Sequence, residues 1–151
     1  YQDIPLVIIQ DNRVEQNETF EVVLSSPVNA SISATDNSST VTITDDDLPP
    51  TISLANATYT ESENGGQVNL VVNLSGPSNL GTSVSYQTND GTAIAGQDYT
   101  TANGTINIPA GNSSDNITIS LTDDTDIEIG ETFSVILSNP TNAMVESTPA
   151  V

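Results

Sequence analysis

The sequence contains no cysteine, no histidine and no tryptophan, and its only basic residue, Arg13, stands against 20 Asp and Glu. Without cysteine there is no disulfide framework and no thiolate metal site. Without histidine the usual zinc and copper centres are disfavoured. Lysine is absent too, so the common catalytic bases, nucleophiles and Schiff-base formers reduce to carboxylates and hydroxyls. A glycosidase-type carboxylate pair needs aromatic platforms for sugar rings, and four Tyr and two Phe spread over the chain do not supply them. The chain is expected not to be an enzyme. A formal net charge of -19 excludes nucleic acid and anionic lipid surfaces as partners, because both require clustered Lys and Arg. No apolar run approaches the roughly 20 residues of a membrane-spanning helix. No signal peptide is visible, and the first residue is Tyr1, which suggests a fragment or a processed product.

What is abundant is negative charge in loops. The stretch 121–133 places Asp123, Asp124, Asp126, Glu128 and Glu131 close together with no cation among them. Such a cluster either repels itself or holds a hard cation, and calcium prefers oxygen ligands from flexible loops. The same pattern occurs earlier, in residues 8–20. At an offset of 113 residues Asp11 aligns with Asp124, Glu15 with Glu128 and Glu18 with Glu131. The match continues through Phe20 and Phe133, Val22 and Val135, Leu24 and Leu137, Pro27 and Pro140, Asn29 and Asn142. A period of this length indicates tandem domains rather than a short solenoid repeat. Residues 1–47 form the C-terminal part of a first repeat, 48–50 a short proline-stiffened junction, and 51–151 a second repeat lacking its last strand.

Apolar residues alternate with polar ones at Val68, Leu70, Val72 and Leu74, at Ile117, Ile119 and Leu121, at Phe133, Val135 and Leu137, and at Val41 and Ile43. Turn sequences such as Asn64-Gly65-Gly66, Ser75-Gly76-Pro77 and Asn89-Asp90-Gly91 separate the runs. Period-two alternation without helical periodicity predicts an all-β, antiparallel, immunoglobulin-like Greek-key sandwich.

Residues 88–99, Thr-Asn-Asp-Gly-Thr-Ala-Ile-Ala-Gly-Gln-Asp-Tyr, are followed by residues 104–111, Asp123-Asp124 and Glu131-Thr132-Phe133. The first repeat ends in Asp45-Asp46-Asp47. Together these resemble the Calx-beta domain, found in regulatory regions of sodium/calcium exchangers, in an integrin subunit and in tandem arrays on bacterial surfaces. The resemblance covers nearly the whole chain and implies calcium ligands in loops at one end of each sandwich. In the second repeat it implies Glu63, Asp98, Asp123, Asp124, Glu128 and Glu131. In the first it implies Asp11, Glu15, Glu18, Asp45, Asp46 and Asp47, with Arg13 beside them as a counter-charge able to neutralise the loop without metal. Two alternatives stand beside these assignments. The acidic loops can be simply a solvated surface, and Asp98-Tyr99 can be a turn cap and a core tyrosine.

Sequons for N-glycosylation occur at Asn17, Asn29, Asn37, Asn56, Asn73, Asn103, Asn112 and Asn116. Of these, Asn73, Asn103 and Asn116 fall on the polar faces of expected strands. The sequence-level expectation is an extracellular or cell-surface structural and adhesive repeat, stabilised by Ca2+. Its partners would be neighbouring repeats, surface or matrix components, or other copies of itself in a filament built by strand complementation. A calcium-sensing or ligand-binding regulatory module is the alternative.

Overall fold

The computed structural model describes residues 3–125 and 130–146. It is built of strands, with a single 3-10 turn at Glu63–Gly65 among the described residues. In chain order the strands are β1 (Glu18–Val23), β2 (Ser38–Ile43), β3 (Thr51–Leu54), β4 (Gln67–Leu74), β5 (Thr82–Asp90), β6 (Asn103–Ile108), β7 (Ser114–Ser120), β8 (Phe133–Thr141) and β9 (Met144–Val145). Three sheets result: β1-β2, β7-β4-β3-β9 and β6-β5-β8. All pairings are antiparallel except β3 with β9, where Thr51 and Ile52 run parallel to Met144 and Val145.

The alternation along each strand decides which face is buried. On β4, Val68, Leu70, Val72 and Leu74 face inward, and on β7 Ile117 and Ile119 do. Across from them lie Val84 of β5, Ile106 and Ile108 of β6, and Phe133, Val135 and Leu137 of β8. Each buried branched side chain contributes about 1.5–3 kcal/mol relative to exposure, so this aliphatic layer holds the two sheets of the second repeat together. Strands β5 and β6, absent from the alternating runs singled out in the sequence, form the middle and edge of the second sheet. In β5 the alternation is diluted by Ser, Thr, Asn and Tyr at half-buried positions, and β6 buries only Ile106 and Ile108 at its end.

The 113-residue repeat is also a repeat of backbone conformation. Ser26 and Asn29 have positive φ (51° and 56°), and so do their counterparts Asn139 and Asn142 (48° and 54°). Two left-handed residues three apart therefore bend the chain at the same place in both copies, a conformation that Asn tolerates better than most residues. The copies differ in burial. Ile4, Leu6 and Ile8 stand where Ile117, Ile119 and Leu121 stand in the second repeat, yet Leu6 is 53 % exposed and Ile119 fully buried. At the junction, Pro50 is already buried. Its carbonyl accepts a hydrogen bond from the Met144 amide at 2.9 Å.

Replacing Ile119 with alanine removes a fully buried side chain and should cost about 2–5 kcal/mol of unfolding free energy. Leu6→Ala, at the equivalent position of the first repeat, should cost under about 0.5 kcal/mol. Denaturant melts of the two variants check this, and equal losses would contradict the packing described.

Candidate metal centre

Local chain geometry first gathers the loops at one end of the second repeat. The carbonyl of Gly66 accepts from the Leu121 amide at 3.0 Å, and the carbonyl of Asp98 from the Thr122 amide at 2.9 Å. The carbonyl of Thr132 accepts from the Ala93 amide at 3.0 Å, and the Thr132 amide donates to Thr92 Oγ1 at 2.8 Å. Glycine is required at 91, because a Cβ there would sit 2.3 Å from the Thr132 carbonyl oxygen. The segments carrying Glu63, Asp98, Asp123, Asp124 and Glu131 thus converge.

The carboxylates themselves are employed differently. Asp98 accepts the Ile94 amide on Oδ2 at 2.6 Å, closing its own loop. Tyr99 is 1 % exposed and stacks on Phe133 with ring centroids 4.2 Å apart and planes 13° from parallel. Both therefore fill the turn-cap and core roles. Among the described residues no three carboxylates stand close enough together to hold one ion. Glu128, with its neighbour Asp126, lies outside the described residues.

Asp90 carries a role the sequence motifs did not assign. Its Oδ1 accepts the Tyr99 hydroxyl at 2.6 Å and the Ala95 amide at 3.0 Å. The Tyr99 hydroxyl, then the Ala95 amide, hold the carboxyl of Asp90 below its ordinary value of 3.8. Burial, and then the same hydrogen bond, push the Tyr99 phenol up. The signal was present as Asn89-Asp90-Gly91, a turn aspartate nine residues before a tyrosine.

In the first repeat Asp11, Glu15 and Glu18 from one segment and Asp45, Asp46 and Asp47 from another line a single cavity of about 80 Å³, but here too no three of them converge on one point. Gln10 crosses between the two segments, donating from Nε2 to Asp46 Oδ1 at 2.8 Å. The Asp45 amide donates to Asn17 Oδ1 at 3.1 Å, fixing the start of the triplet against the residue that precedes β1. Desolvation, then repulsion from Asp45, Asp46 and Asp11, raise the carboxyl of Asp47, with the Arg13 backbone amide partly offsetting them. Arg13 does not neutralise this cluster as its position in the sequence suggested. Its guanidinium donates from Nη1 to Asn79 Oδ1, 3.2 Å away on the second repeat. The lining supplies carboxylate and amide oxygens without sulfur or imidazole, which suits a hard cation such as calcium.

The sequons are spread over both repeats. Asn103 and Asn116 are exposed on β6 and β7, whereas Asn73 on β4 is half-buried, as is Asn37. Asn29, Asn56 and Asn112 lie exposed outside the strands. Asn17 uses its side-chain oxygen on Asp45.

The lowered value of Asp90 carries a sign. A carboxyl depressed in the folded state contributes stability that is present above its unfolded value and is lost as pH falls through the folded one. Asp90→Asn should therefore melt below the wild type at pH 7, and the gap should close as pH drops below about 4. Thermal melts of both proteins between pH 7 and 2.5 check this. A gap independent of pH would show that the Asp90 charge contributes nothing.

Comparison with known proteins places this geometry. The model of the Calx-beta domain matches residues 1–47 and 45–151. Over 93 residues, 62% of this chain, the sequence is 33% identical to the sodium/calcium exchanger Calx of Drosophila melanogaster, and the match spans 10% of that protein. Among solved structures, the apo-form Calx CBD1 domain is similar with a TM-score of 0.63 and 31% identity, over 67% of this chain and 89% of that one. The calcium binding domain CBD12 of CALX1.1 gives 0.61 and 31%, over 66% of this chain and 42% of that one. The chain belongs to the Calx-beta domain family.

Proposed function

We propose that this chain is a calcium-binding module of two consecutive repeats, 1–47 and 51–151, with a regulatory rather than catalytic role. One observation carries the reading: carboxylates from two separate segments, 11–18 and 45–47, line one cavity and repel each other there. Repulsion of this kind is relieved by a cation. Asp11, Glu15, Glu18, Asp45, Asp46 and Asp47 do not converge on one point by themselves, and Ca2+ would draw ligands from among them while supplying the positive charge that the sequence lacks. For a second site the resemblance would use Glu63, Asp98, Asp123, Asp124, Glu128 and Glu131, of which Asp98 also closes its own loop and Glu128 lies outside the described residues. The reading draws support from the similarity to a calcium binding domain and to a sodium/calcium exchanger.

A second reading, an extracellular stalk or adhesive repeat in which calcium only stiffens the chain, is favoured by the cysteine-free, strongly acidic composition. Affinity separates the two. A regulatory site saturates at micromolar calcium, and an extracellular structural one at about 0.1–1 mM.

Calorimetric titration of the chain with CaCl2, paired with melts in calcium and in chelator, tests the proposal. A hundredfold excess over Kd should add about 3 kcal/mol, which raises the melting temperature by about 10 °C or more in a domain of this size. Replacing Asp45, Asp46 and Asp47 together by Asn should abolish the first repeat's share of the binding heat. Absence of binding heat and of any shift in the melt would overturn the proposal.

A further inference from the structure

The loop that carries Asp11 and Glu15 is also the place where the two repeats touch. Val14, between Arg13 and Glu15, is 8 % exposed and forms a parallel bridge to Ser78, itself 1 % exposed. The Asn79 amide donates to the Val14 carbonyl at 3.1 Å. On the second-repeat side, the Ser78 carbonyl accepts the Gly111 amide at 2.9 Å and Ser78 Oγ accepts the Leu80 amide at 3.0 Å, so this loop is braced from behind. The side chain of Asn79 then faces two opposite charges at once. Its Oδ1 accepts from Arg13 Nη1 at 3.2 Å, and its Nδ2 donates to Glu15 Oε1.

We propose that Asn79, on the second repeat, sets the cation affinity of the first repeat's carboxylate cavity by holding the guanidinium of Arg13 away from the carboxylates. The inference rests on the calcium reading given above. Arg13 is the only basic residue of the chain, and it lines the same cavity as the aspartates. Its backbone amide already donates to Asp11 Oδ1 at 2.9 Å, so a turn of the side chain would bring the guanidinium onto the carboxylates. There it would act as an internal counter-ion competing with the metal. An amide is suited to prevent this, because it offers an acceptor to the arginine and a donor to the glutamate in one planar group. Docking of the second repeat therefore leaves the first repeat's aspartates without their own cation and open to a foreign one. Asn79 is a positioning residue and Arg13 the group it controls.

Calorimetric titration of the full chain with CaCl2 tests this, in a background carrying Asp123→Asn and Asp124→Asn so that the heat reports the first repeat. Asn79→Ala should weaken binding about five- to tenfold, the scale of one partly screened charge contact. Arg13→Gln should tighten it, and adding Asn79→Ala to Arg13→Gln should change nothing further. Asn79 is exposed, and melts in chelator would check that each variant is folded. An unchanged affinity in Asn79→Ala overturns the inference, as does an equal loss with and without Arg13. Absence of calcium binding in the background protein sinks the calcium reading itself, which is a distinguishable result.

Discussion

Electrostatic repulsion at the loop ends is the constraint around which the rest of this structure is arranged. Twenty acidic side chains share one arginine, and both copies of the repeat concentrate carboxylates where strands end. A sandwich tolerates such crowding because its stability comes from elsewhere: an aliphatic layer contributed by β4 and β7 on one side and by β5, β6 and β8 on the other. Repulsion subtracts from that stability. In the first repeat it is left in place, with Asp47 pushed up by Asp45, Asp46 and Asp11. The fold holds these charges in one cavity without a neutralising partner among them.

The second repeat handles its carboxylates in a different way. Asp90 and Asp98 are committed to local hydrogen bonds, one on the Tyr99 hydroxyl and the Ala95 amide, the other on the Ile94 amide. Together with the stack of Tyr99 on Phe133 they brace the 90–99 loop against the start of β8. The string Asp-Gly-Thr-Ala-Ile-Ala-Gly-Gln-Asp-Tyr is thus largely structural: Gly91 allows the approach of Thr132, the aspartates satisfy amides, and the tyrosine anchors the turn. A motif this conspicuous in sequence owes most of its residues to packing.

Much of the architecture was legible in the sequence because its signals are local or periodic. The alternation of Val68, Leu70, Val72 and Leu74 fixed β4, and the 113-residue offset extended even to left-handed backbone at Asn29 and Asn142. Strands β5 and β6 were harder to see, since polar residues occupy the half-buried positions of β5 and β6 turns only Ile106 and Ile108 inward. The parallel pairing of β3 with β9 depends on residues about ninety apart, which no local pattern encodes. The carboxylates of the first cavity were identifiable from spacing and resemblance, whereas the destination of Arg13 was not. Its partner, Asn79, lies 66 residues away and on the other repeat, so proximity in sequence to the acidic loop pointed the wrong way. Asp90 was missed for a related reason: a turn aspartate is common, and only the folded loop brings Tyr99 onto it.

The most direct test of the account is the position of the ion itself. Crystals of the chain grown in calcium should show a density peak in the first repeat's cavity, about 2.3–2.6 Å from oxygens of Asp11 and of the 45–47 triplet. Arg13 should remain on Asn79 in that structure. A peak absent from this cavity at saturating calcium, or a guanidinium lying among the aspartates in its place, would contradict the account.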